Sequence, residues 1–210
     1  MAQLIPITAT ILILFVLGHG LGAGLALLNP AAFERYATAL HHAPWLLPLE
    51  ISLALVALGH LGLSVQRLVA NRRARGMVAY SQWRSRRGQP LAALSGRMAP
   101  VSGALLLLFL VVHLAQLRWP RPGDGLERQA LDLALASPWA LLLYVLAGVA
   151  LGLHLFHGAE SLSRSFGWLD EHNATGLRLA GRTLAAVVGG GFALLPLMLR
   201  SAVALEVAGI

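Results

Sequence analysis

Residues 138–163 read PWALLLYVLAGVALGLHLFHGAESLS. The run is long and apolar enough to cross a hydrocarbon layer of about 30 Å as a helix, which takes about 20 such residues. Its second half, LGLHLFHGAE at 151–160, nevertheless holds two imidazoles and a carboxylate where water is scarce. Ionisable side chains at membrane depth are costly, and each is by default a candidate functional group.

Four more stretches satisfy the same length rule, at approximately 6–28, 45–68, 98–117 and 176–199. The whole chain has the composition to match: 57% of its 210 residues are hydrophobic, 12% are charged, and the mean hydropathy is +0.70. These values lie far from soluble composition. They predict an all-α fold, an integral membrane bundle of five transmembrane helices forming one domain over 1–210. The first span has no positive residue ahead of it, so it reads as a retained helix rather than a signal peptide. With no Cys there is no disulfide, thiolate metal site or iron–sulfur cluster on this chain.

All 16 basic residues are Arg, a usage attributed to genomic base composition rather than chemistry. Half of them, Arg67, Arg72, Arg73, Arg75, Arg84, Arg86, Arg87 and Arg97, lie around the connection between spans two and three, which carries no acid. The positive-inside rule makes that connection cytoplasmic, so the N-terminus is inside and the C-terminus outside. Arg clustered at a membrane boundary also argues against nucleic acid as a partner, despite the high pI. The outer connections, NPAAFERYATALHHAP and RWPRPGDGLERQALDLALASP, mix acids with Arg and are bounded by Pro, as polar connections are.

Four His residues lie well inside spans, one in each of the first four: His19, His60, His113 and His154. At 1.5 Å per residue, His60 and His154 sit roughly 10–15 Å above the inner boundary, and His19 and His113 roughly 20–24 Å above it. Two pairs at two depths, with partners on different helices, suit two bis-His haems stacked across the membrane. The opposing interpretation is four separate packing histidines. Glycines around them, in GHGLGAG, at Gly59 and Gly62, and at Gly148, Gly152 and Gly158, are expected to leave room for a macrocycle edge, although membrane helices also use Gly for packing.

His157 shares a face with His154 and is a candidate alternative ligand or a donor to a propionate or quinone. Zinc is disfavoured, because the i, i+3, i+6 spacing of His154, His157 and Glu160 spreads the three around the helix. His41 and His42 fall in the first outer connection, and His172 is expected to be exposed.

The order of motifs then becomes specific. H-x-x-G follows from His19, and NPAAFERYA, PLEISLALVALGHLG, NRRAR, SGRM, FLVVHL and LGLHLFHGAESLSRSFG succeed one another along residues 10–180. This resembles the cytochrome b subunit of succinate dehydrogenase, in the five-helix, two-haem branch of succinate:quinone oxidoreductases that includes fumarate reductase anchors. The resemblance implies two b haems, a proximal one on His60 and His154 and a distal one on His19 and His113. It further implies an FAD-containing flavoprotein subunit and an iron–sulfur subunit on the cytoplasmic face, with succinate's electrons passed to a quinone, usually menaquinone. A bacterial cytoplasmic (inner) membrane and a higher oligomer of the complex fit the same picture. One departure is the uncharged MAQLIPITAT, where relatives often carry Arg and Ser.

Quinone reduction consumes protons, so its pocket needs a protonatable group. Outer candidates are Glu50, preferred, with Glu34, His41 and His42; inner candidates are His157, Arg97, Tyr80 and Trp83. Arg97 and Arg67 could pair with propionates of the proximal haem. The alternatives are the cytochrome b anchor of another dehydrogenase or hydrogenase, and a haem-free helical transporter or scaffold.

Overall fold

A computed structural model describes residues 3–75 and 90–208, with side chains of the last helix described as far as Val203. Among the described residues 88% are helical and no strand occurs. The helices are α1 (Leu4–Leu28), α2 (Pro30–His41), α3 (Leu46–Arg75), α4 (Pro90–His113, continued by a π-helical turn Leu114–Arg118), α5 (Glu127–Ala136), α6 (Pro138–Ser165) and α7 (Ala174–Ala208). Five of them, α1, α3, α4, α6 and α7, are long and apolar enough to cross a membrane. This is an all-α, multi-pass membrane protein. Tyr80, Trp83, Arg84, Arg86 and Arg87 lie outside the described residues.

The connections between the first and second spans and between the third and fourth are helical rather than simple polar loops. Each short helix follows from local chemistry. In α2, the Asn29 side chain accepts a hydrogen bond from Ala32 N (3.0 Å), and Pro30 occupies the first helical position, where its missing N–H costs nothing. Phe33 and Ala37, one turn apart, then present an apolar stripe to the bundle. The same device begins α6, where Ser137 caps Ala140 N and Pro138 follows. Together α2 and α5 close one end of the bundle, over a core of Ala26, Leu135 and Leu199 flanked by Phe33, Leu131 and Tyr144.

Helices α6 and α7 are the most closely packed pair, and α4 lies along α6. Glycine sets that approach. A Cβ on Gly148 would stand 2.3 Å from Ala193 N, and one on Gly189 would stand 2.4 Å from the Gly152 Cα, so any side chain at either site must push the helices apart. Gly148 and Gly152 therefore serve the α6–α7 contact. The expectation that they make room beside His154 is corrected: their hydrogen-only faces are filled by backbone of α7. By contrast α3 packs chiefly on α1. A Cβ at Gly59 or Gly62, on either side of His60, would meet nothing within 4 Å.

Candidate functional site

Helix α4 packs along α6, which packs on α7, and α3 packs on α1, which also reaches α7. Among the described residues, α1 with α4 and α3 with α6 make little backbone approach. Across these two gaps the intramembrane imidazoles face each other. His60 of α3 and His154 of α6 have ring centres 6.3 Å apart, with planes at 73°. His19 of α1 and His113 of α4 have ring centres 5.8 Å apart, at 87°. The rings at similar estimated depth are the ones brought together.

Edge-to-face ring pairs occur anywhere from about 4.5 to 7 Å, so distance alone does not identify the contact. A metal–imidazole nitrogen bond of about 2.0–2.1 Å, plus about 1.1 Å from nitrogen to ring centre, puts two trans imidazoles on one metal about 6.3 Å apart. The observed spacings meet that value or fall slightly inside it. Among the described residues no group of three or more His, Cys, Asp or Glu side chains converges as a metal cage. The available donor set is thus two sites of two nitrogens each. That would suit a metal whose remaining coordination positions come from a macrocycle.

Hydrogen bonds orient three of the four rings. Nδ1 of His60 lies 3.0 Å from Thr8 Oγ1, Nδ1 of His154 lies 3.2 Å from Ser102 Oγ, and Nδ1 of His113 lies 3.2 Å from the Tyr144 hydroxyl. His19 is held by ring stacking, on Phe15 at 5.5 Å and Phe192 at 6.2 Å. Phe109 stacks in turn on His113 at 5.3 Å. Immediately after His113 the helix widens into its π turn, closed by Trp119 N donating to Leu114 O. Such turns re-aim the residues that follow. Here they bring Gln116 to Tyr144 and Arg118 to Glu50.

The remaining candidates fall in two places. Glu50 receives two hydrogen bonds from Arg118, at 2.6 and 2.7 Å, a bidentate pair. Nearby, α2 and α5 bring Glu34, His41 and Glu127 together. Glu127 is buried and accepts from Gly125 N and Thr38 Oγ1. His41 Nδ1 lies 3.3 Å from Glu127 Oε1, at ion-pair distance but without hydrogen-bond alignment. Glu34 accepts from the backbone N–H groups of Glu127 and Arg128. His42 makes an exposed pair with Asp124. At the opposite end, His157 lies against Gly96 of α4, and Glu160 pairs with Arg182 and Arg178 of α7, away from any metal-like grouping with His154. Arg67 and Arg97 are exposed at that same end, and the His172 side chain is 88% exposed.

Burial, followed by the hydrogen bond with Glu127, raises the Glu34 carboxyl above its usual range. Burial pushes Glu127 in the same direction, but the bond from Glu34 and the N–H groups of Glu127 and Gly125 carry it below that range. The two carboxyls are thus pushed apart, Glu34 holding a proton to higher pH than Glu127. The raised group stabilises the fold below the ordinary glutamate pKa and loses that contribution as pH rises through its folded value. The depressed group contributes above the ordinary value and loses it as pH falls through its own folded value. Glu34→Gln should accordingly flatten the decline in thermal stability of the detergent-solubilised protein as pH rises above the ordinary glutamate range, while Glu127→Gln should flatten the acid limb. Thermal unfolding from acid to alkaline pH checks both; unchanged limbs would show that the two carboxyls are not pushed apart.

Neither family models, nor curated proteins, nor solved structures gave a match to this chain.

Proposed function

We propose that this chain is the membrane-anchoring cytochrome b subunit of a succinate:quinone oxidoreductase, carrying two b haems in a bacterial cytoplasmic membrane. The observation that supports it most is the arrangement of four intramembrane imidazoles as two facing pairs, at 6.3 and 5.8 Å, across helix pairs that otherwise barely meet. His60 and His154 would hold the inner haem, and His19 and His113 the outer one. Bound haem would supply reversible one-electron transfer, with potentials set by its axial ligands and their hydrogen bonds.

The chain's own residues do the rest. Apolar helices exclude water, the hydroxyl partners orient three rings, and Arg67 and Arg97 stand at the inner end, where propionates could be neutralised. At the outer end a quinone, menaquinone by resemblance, would need a proton source. Glu34, whose carboxyl is raised above its usual range, joins Glu50, which pairs with Arg118, as a candidate outer acid. The Arg-rich inner connection is a docking surface for the iron–sulfur subunit, beyond which lies the FAD-containing flavoprotein.

Affinity purification of the chain from its native membrane, in mild detergent, tests the assignment. An FAD-bearing subunit and an iron–sulfur subunit should copurify, and succinate should reduce the bound cytochrome. Copurification of a different dehydrogenase or a hydrogenase would reassign the anchor to that enzyme.

A further inference from the structure

The three hydrogen-bonded imidazoles share one pattern. In each, Nδ1 faces a hydroxyl whose single proton has a carbonyl acceptor elsewhere. Thr8 Oγ1 lies 2.9 Å from both Leu4 O and Ile5 O of its own helix. Ser102 Oγ, buried on α4, lies 3.1 Å from Ala99 O. The Tyr144 hydroxyl lies 3.1 Å from Gln116 Oε1. With the hydroxyl proton on the carbonyl, the oxygen turned to the imidazole offers only lone pairs, so the hydrogen between them belongs to Nδ1. The opposite tautomer would strand an Nε2–H among apolar helices, which costs about 1–3 kcal/mol for a buried unsatisfied donor.

The relays also follow the packing. Thr8 on α1 serves His60 on α3, Ser102 on α4 serves His154 on α6, and Tyr144 on α6 serves His113 on α4. Each links two helices that pack on one another, α1 with α3 or α4 with α6, while the rings pair across α3 and α6 or α1 and α4.

Resting on the haem reading above, we propose that Thr8, Ser102 and Tyr144 are positioning residues that fix His60, His154 and His113 as Nδ1–H tautomers, leaving Nε2 as the metal-binding nitrogen. Accepting a hydrogen bond from Nδ1–H makes the ligand more basic and favours the oxidised metal. Losing the acceptor therefore raises the reduction potential. Loss of such a partner is worth roughly tenfold, which for a one-electron couple is about 59 mV.

The test is an optical redox titration of the assembled, full-length protein in membranes. Thr8→Val and Ser102→Ala should each raise the midpoint of one haem component by about 59 mV. Tyr144→Phe should raise the other, and Thr8→Ser should restore the first. Thr10→Val is the control, since Thr10 lies two residues away and donates to Pro6 O. Loss of haem in Thr8→Val with retention in Thr8→Ser also supports the relay. Unchanged midpoints in Thr8→Val and Tyr144→Phe, or the same behaviour in Thr8→Ser as in Thr8→Val, would overturn the relay and leave the haem reading standing. A wild-type chain without haem would overturn that reading, and the relay with it, before any variant is compared.

Discussion

His60→Ala and His154→Ala are expected to remove the same spectral component and to lower the haem bound per chain from two to about one. The two rings lie on different helices, 94 positions apart in sequence, yet their centres are 6.3 Å apart and each has a hydroxyl on Nδ1. On the proposed haem reading, removing either would take one ligand nitrogen from the same iron, and one remaining imidazole would not hold a low-spin b haem. Thr8 and Ser102 remain in both variants, so neighbouring packing changes little. Pyridine haemochrome content and low-temperature α-band spectra of the two variants provide the check. If the two substitutions altered different components, the pairing of α3 with α6 would be wrong.

The second large effect concerns the outer pair. His113→Ala is expected to leave the inner component reducible by succinate while quinone turnover falls at least about tenfold, the low end of what loss of even a supporting partner costs a metal site. On the proposed function, electrons entering from the cytoplasmic side would meet the His60 and His154 pair first, and the His19 and His113 pair lies on the side of the α2–α5 layer, whose Tyr144 contact reaches His113. Rapid-mixing spectra of the assembled variant, read beside steady-state quinone reduction, separate the two steps. Normal turnover would place the productive quinone site at the inner end, near His157 and Arg97, instead.

Much of this arrangement was legible in the sequence because membranes make polarity conspicuous. A His in an apolar run is visible without any knowledge of its neighbours, and a fixed rise per residue turns its position into a depth. That is why His60 could be matched with His154 and His19 with His113. The hydroxyl partners were not legible. Thr8, Ser102 and Tyr144 are ordinary residues at 8, 102 and 144, and only the rotation of one helix against another decides which of many Ser, Thr and Tyr side chains meets an imidazole.

Glycine misled for a related reason. Gly59 and Gly152 look alike as neighbours of a His, but α3 has open space beside Gly59 while α6 has α7 backbone against Gly152. The π turn after His113 left no trace in composition, yet it brings Arg118 to Glu50 as an ion-pair partner. The short helices α2 and α5 had their signals in plain view, an Asn–Pro start at 29–30 and an apolar stripe through Phe33 and Ala37. Pro and mixed charges at their ends made them read as connections.

The central claim is that the four intramembrane histidines are axial ligands rather than packing groups. It is tested most directly by haem content per chain, measured by pyridine haemochrome against protein on the purified wild type from haem-replete cells. Two b haems per chain, with a Soret band and a reduced α-band, is the expected result. A colourless protein, or a ratio near one, would contradict it.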